Sequence, residues 1–162
     1  MSPNFPAAFK ALVGNEGAYS NDSRDPGGET MWGITARVAR AHGYTGAMRS
    51  LPLEVAQDIA YRCYWLPYGC DDYDSRVAFQ IMDAAYNGGH TILWMQGSSQ
   101  CSADGILGPK TCERVRNVLP LVFVVKFNAL RLVYYTSLTK LWPSFGRGWT
   151  IRISNNLVRS VI

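Results

Sequence analysis

The stretch GNEGAYSNDSRDPGGETMWGIT, residues 14–35, sets the plan of this chain. Its Asp25-Pro26-Gly27-Gly28 run demands a sharp turn, because proline fixes φ and glycine accepts positive φ. Upstream, Pro6 suits a first helical turn. Phe5, Phe9, Leu12 and Val13 recur at the spacing of a buried helical stripe that ends near Gly14. Glu16 stands four residues after Leu12 and seven after Phe9, so the same period carries a carboxyl group toward the apolar side of a helix end. Burial disfavours a charge there, and a carboxyl in such a place is a candidate for chemistry.

Outward from this stretch the pattern is helical. Thr35 caps a short helix, ARVARAH, that Gly43 stops. LPLEVAQDIAYRCYW places Val55, Ala56, Ile59, Ala60 and Cys63 on one face before Pro67 and Gly69 break the chain. Ser75 is positioned to cap RVAFQIMDAAYN, TILWMQGSSQC reads as a further helix, and Pro109 opens another. A long apolar helix from about residue 119 to 141 reads as buried and leads into WPSFGRGW. Lys126, Asn128 and Arg131 interrupt it, whereas a bilayer span needs roughly 20 mostly apolar residues. The expected fold is mainly α: one compact helical domain over 1–162, with a small β-hairpin or loop after the first helix, any strand being confined to residues 17–33.

Composition narrows the function classes. With 162 residues, 48% hydrophobic and 17% charged, the chain has the make-up of one folded domain with a genuine core. The net charge of +4 favours an anionic partner such as nucleic acid, membrane headgroups or acidic wall polymers. Lys and Arg are scattered, with no run resembling a nucleic-acid arm, so nucleic acid is not expected. Cys63, Cys70, Cys101 and Cys112 match neither a zinc knuckle nor a CxxC pair, and their spacing does not decide between buried thiols and disulfides. The start has no basic segment followed by a long apolar one, so synthesis and retention in the cytoplasm are expected.

Glycoside hydrolysis needs one carboxylic acid held protonated and usually a second, ionised carboxylate across the bond. Glu16, at the end of an apolar helix face, suits the first role. Asp25, nine residues later in a polar turn, suits the second, with Asp22 as its rival. Asn21, Asp22, Asp25 and Glu29 lack the alternating ligand register and terminal bidentate Glu of a calcium loop, so no metal is expected.

These residues resemble a known family. The stretch is similar to the N-terminal motif of the glycoside hydrolase family 108 lysozyme-like muramidases, which include phage endolysins and bacterial secretion-activator muramidases. That motif reads approximately E-G-G-Y-x-N-D-x-x-D-P-G-G-x-T-x-x-G-I-T. Glu16, Gly17, Tyr19, Asn21, Asp22, the Asp25–Gly28 turn, Thr30, Gly33, Ile34 and Thr35 match it, and Ala18 departs from it. Further on, FQIMDAAYNGG resembles the family's central helix through Asp83, Asn87 and Gly89, with Met82 and Tyr86 departing. DGILGPKT and FGRGWTIRI resemble its C-terminal segments, the latter through Gly148, Trp149 and Arg152.

The resemblance implies a lysozyme-like form of that helical domain, with about 1–69 as a catalytic lobe and about 70–162 as a helical lobe resembling the family's peptidoglycan-binding region. It implies a muramidase acting on bacterial peptidoglycan without a cofactor. Glu16 becomes its general acid, Asp25 or Asp22 the partner carboxylate, and Tyr19, Thr30, Trp32 and Asn87 the groove residues. It further implies a monomer without stable membrane insertion, held in the host cytoplasm and then released to the cell wall or periplasm. Two other readings stay open: a lytic transglycosylase, and a non-catalytic module that binds peptidoglycan.

Overall fold

A computed structural model describes residues 3–14, 19–21 and 28–161. Contacts divide the chain into two units, Met1–Pro67 and Tyr68–Ile162. Among the described residues there are eight α-helices and one two-stranded antiparallel sheet, the mainly α fold that the periodicity predicts.

In the first unit, α1 (Phe5–Val13) begins with Pro6 in its first turn and stops at Gly14, whose φ of 69° no side-chain-bearing residue adopts cheaply. Phe5 and Phe9 are fully buried, as their spacing requires, while Leu12 and Val13 are half-buried. The described helix therefore ends before the apolar stripe could be extended to Glu16, and Glu16 itself lies outside the described residues. Strands β1 (Thr30–Met31) and β2 (Ile34–Thr35) form a short hairpin. Helix α2 (Ala36–Ala41) comes next, with the Thr35 hydroxyl accepting from the Val38 N–H as predicted.

Helix α3 (Leu53–Ala60) runs into a wider π-helical turn, Tyr61–Trp65, closed by the Leu66 N–H on the Tyr61 carbonyl. The predicted single helix through Trp65 is thus α-helical only to Ala60. Tyr61 and Trp65 meet the Phe5 ring edge-on, at 5.1 and 5.4 Å between centroids, and Trp65 is completely buried.

The second unit consists of α4 (Ser75–Asn87), α5 (Thr91–Ser98), α6 (Pro109–Asn117), α7 (Pro120–Ser137) and α8 (Trp142–Arg159). Helix α7 packs against α4, α5 and α8. The cap of α4 is Asp74, not Ser75: Asp74 accepts from the Arg76 N–H at 3.0 Å, and Ser75 is already helical. The hydrogen-bonded Arg76 guanidinium holds the Asp74 carboxyl below the usual carboxylate range.

One expectation is corrected here, and one helix is added. Helix α7 is not buried all round. Its inward face carries Phe123, Val124 and Phe127 together with Asn128 and Arg131, while Val125 and Val133 are 59% and 69% exposed. The polar residues Asn128 and Arg131 that interrupt the apolar run are buried, because they have partners waiting on α4. The WPSFGRGW segment, for which the sequence indicates no helix, opens the 18-residue α8. Pro143 sits in its first turn, where the missing N–H costs nothing, and buried Gly146 leaves room for the Trp142 ring, which a Cβ would strike. Trp149 stacks on Tyr135 of α7 with centroids 4.8 Å apart and planes 22° from parallel. The four cysteines are free thiols; Cys70 is buried, and that burial pushes its thiol well above the ordinary range.

Candidate functional site

The hairpin presents the described part of the predicted site. Ser20 and Thr30, on either side of residues 22–27, exchange both backbone hydrogen bonds, at 2.9 and 2.8 Å. Thr30 also pairs with Thr35, so its backbone is held from two sides. The two-residue connection Trp32-Gly33 has φ values of 54° and 74°. Positive φ at both positions is what a type I′ hairpin turn requires, and tryptophan adopts it only under constraint. That constraint is visible: the Trp32 indole N–H donates to the Leu51 carbonyl at 2.9 Å, pinning a half-buried ring to the segment before α3.

Gly33→Ala is therefore expected to cost about 1–2 kcal/mol, the penalty for a Cβ in the left-handed region, with Gly33→Asn costing less. Urea denaturation of the two variants checks this. Equal, negligible losses would mean that the turn relaxes freely.

Tyr19, Thr30 and Trp32 share this hairpin. The Tyr19 hydroxyl donates to the Glu29 carboxylate at 2.9 Å, and the Arg49 guanidinium lies over the Tyr19 ring, 4.2 Å from its centroid. Glu29 and Arg49 thus bracket Tyr19 with opposite charges, an arrangement no local sequence pattern indicates, since Arg49 is contributed by a turn beyond α2. The Thr30 hydroxyl donates to the Gly28 carbonyl at 3.0 Å and so serves its own turn. Glu16, Asp22 and Asp25 lie outside the described residues.

In the second unit, Asn87 is the last residue of α4. Its side-chain amide donates to the Asp83 carbonyl at 2.6 Å, closing the helix end. Gly88 and Gly89 come next at φ 78° and 115°, and a Cβ on Gly89 would run into the Trp94 ring. A cleft of about 240 Å³ opens beside them, lined by Tyr68, Gly89, His90, Thr91, Leu93 and Gly105. On one side of Gly105, the Asp104 carboxylate accepts the Ile106 N–H at 2.9 Å and the Gln96 amide at 2.6 Å, bonds that hold Asp104 below its usual range.

Beneath Asn87 lies a feature that sequence matching touched without connecting. Asp83, 1% exposed, receives the fully buried Arg131 Nη2, the Arg152 Nε and the Asn156 Nδ2, each at 2.8 Å. Asn128 and Gln80 extend this network, joined by a 3.0 Å bond, and the Gln80 amide also reaches Ser160 Oγ at 3.0 Å. One carboxylate on α4 thereby ties down α7 and α8, and the motif residues Asp83 and Arg152 are partners in one ion pair. The signal available in sequence was Asp83, the one acidic residue of α4, set among the apolar residues Ile81, Met82, Ala84 and Ala85.

A two-unit helical chain with a short hairpin after its first helix is the architecture of the lysozyme-like glycoside hydrolases. The family model described as Glycosyl hydrolase 108 matches residues 9–89, a range that holds every predicted site residue, and the chain belongs to that family. It is accordingly a glycoside hydrolase of the lysozyme-like kind, in a family that acts on peptidoglycan. The structure of Brucella abortus SagA is similar to it, with a TM-score of 0.85 and 28% sequence identity over 97% of this chain and 93% of that one. No curated protein matches the sequence.

Proposed function

We propose that the protein is an N-acetylmuramidase that hydrolyses the β-1,4 bond between N-acetylmuramic acid and N-acetylglucosamine in peptidoglycan. The observation that carries this reading is the family match over residues 9–89, which contains Glu16 and both candidate partner carboxylates. Glu16 would give its proton to the glycosidic oxygen as the bond to the muramic C1 breaks. Asp25 or Asp22 would balance the positive charge developing at C1 or remove a proton from the water that adds there. The hairpin would then supply the groove: Trp32 is set by Leu51, and Tyr19 by Glu29 and Arg49. Net positive charge supports an endolysin setting, with release from a host cytoplasm to the anionic wall.

Digestion of purified sacculi followed by mass spectrometry of the products tests the chemistry. Muropeptides with reducing N-acetylmuramic ends are expected. Products ending in 1,6-anhydro sugars would make the protein a lytic transglycosylase. Sedimentation with sacculi and no released saccharide would make it a binding module.

A further inference from the structure

The charge of this chain is divided in a way its net value conceals. The 16 basic residues fall eight before and eight after Glu113, but all 12 acidic residues lie at or before it. Residues 1–113 therefore carry a formal charge of −4 and residues 114–162 a charge of +8, which together make the +4 of the whole chain. Of the eight later cations, Arg131 and Arg152 are consumed by Asp83, and Arg116 pairs with Asp72. Lys126, Lys140 and Arg147 are exposed along α7, the α7–α8 connection and α8, and so is Arg159, whose guanidinium lies 5.4 Å from the centroid of the Phe79 ring of α4.

The same two helices bear an exposed apolar face. On α7, Leu121, Val122, Val125, Leu130 and Val133 fall within one half of the helical circumference, each 38% exposed or more, with Lys126 as the only charge among them. The opposite half is locked into the protein by Arg131 and Asp83, so this face is free to meet a partner only laterally. It continues onto the end of α8 through an apolar groove of about 300 Å³, where Leu121 and Val125 meet Val158 and Val161. Val158 and Val161 are 58% and 70% exposed. Isolated exposed valines mean little, but an apolar face that carries Lys126, on a pair of helices with further exposed cations and no acidic residue, has a specific chemistry.

From this we infer that the α7–α8 face docks peripherally on an anionic phospholipid surface. Apolar side chains enter the acyl boundary while Lys126, Lys140 and Arg147 meet the headgroups, the pattern of helices that lie in a membrane interface. A hydrophilic wall polymer would satisfy the cations but leave the valine and leucine face wet. A second copy of the chain would cover that face but bring two sets of unopposed cations together.

Co-sedimentation of the full chain with vesicles tests the inference. Binding to vesicles of phosphatidylglycerol mixed with phosphatidylcholine is expected, weakening as salt rises, with little binding to phosphatidylcholine alone. Val125→Glu combined with Val133→Glu, both on exposed positions, is expected to reduce binding to the phosphatidylcholine level. Lys126→Glu with Lys140→Glu is expected to weaken it by at least about tenfold. Both variants should digest sacculi as the parent does, which shows that they fold. Equal binding to the two vesicle types, or undiminished binding of the valine double variant, overturns the inference. So does a lipid-free dimer in velocity sedimentation that the valine variant dissociates, since the face would then be a protein interface.

Discussion

Glu16→Gln is expected to lower the release of reducing ends from purified peptidoglycan by at least about 100-fold, the usual scale of a general acid's contribution. The substitution keeps size and shape but removes the proton that the leaving sugar oxygen must receive. Because only a protonation step is lost, the urea midpoint and sedimentation with sacculi are expected to match the parent. Full activity in this variant would sink the assignment of the acid. Asp25→Asn and Asp22→Asn, assayed beside it, identify the partner: one is expected to lose activity strongly and the other to keep most of it. Glu29→Gln makes an informative companion, since glutamine still accepts the Tyr19 hydroxyl bond. A large loss there would mean that the Glu29 charge itself takes part.

The second large effect is on stability. Asp83→Asn leaves Arg131, which has no exposed surface, without its buried counter-charge. Removing one partner from such a pair costs about 3–5 kcal/mol, because the cation left behind has neither water nor an anion around it. That is a large share of the roughly 5–15 kcal/mol that holds a domain folded. Urea denaturation is expected to show this loss for Asp83→Asn and much of it recovered in the double variant Asp83→Asn, Arg131→Met. Arg152→Gln tests the other arm. Its side chain is 34% exposed, water screens its bond to Asp83, and a smaller effect is expected. If Asp83→Asn alone is harmless, the network is ornamental to folding.

The helical class, the start of α1 at its proline, its stop at Gly14, the Thr35 cap and the hairpin beyond the first helix were all legible, because each rests on local chemistry. A buried stripe repeats every three or four residues, a proline or glycine marks an end, and a threonine caps the next helix. The candidate site was legible only as a motif. Tyr19, Thr30 and Asn87 were named from it, but the partners that hold them, Glu29 with Arg49, Gly28 and the Asp83 carbonyl, came from the structure. Helix α8 was missed because Gly146 and Gly148 weaken any local case for a helix. Its existence depends on Trp149 stacking against Tyr135 and Arg152 reaching Asp83, contacts to residues 14 and 69 positions away.

By itself, then, the sequence determined where chain segments coil, where they turn and which family's motif they carry, since propensity and motif are properties of neighbouring residues. Only the tertiary structure decided which face of α7 is inside. Hydropathy assigns its valines to the core and its arginine to solvent; the fold does the reverse for Val125, Val133 and Arg131. The reason is that a buried charge is tolerated only where an opposite charge meets it at hydrogen-bonding distance. Asp83 lies 48 residues from Arg131 in the chain and 2.8 Å from it in space.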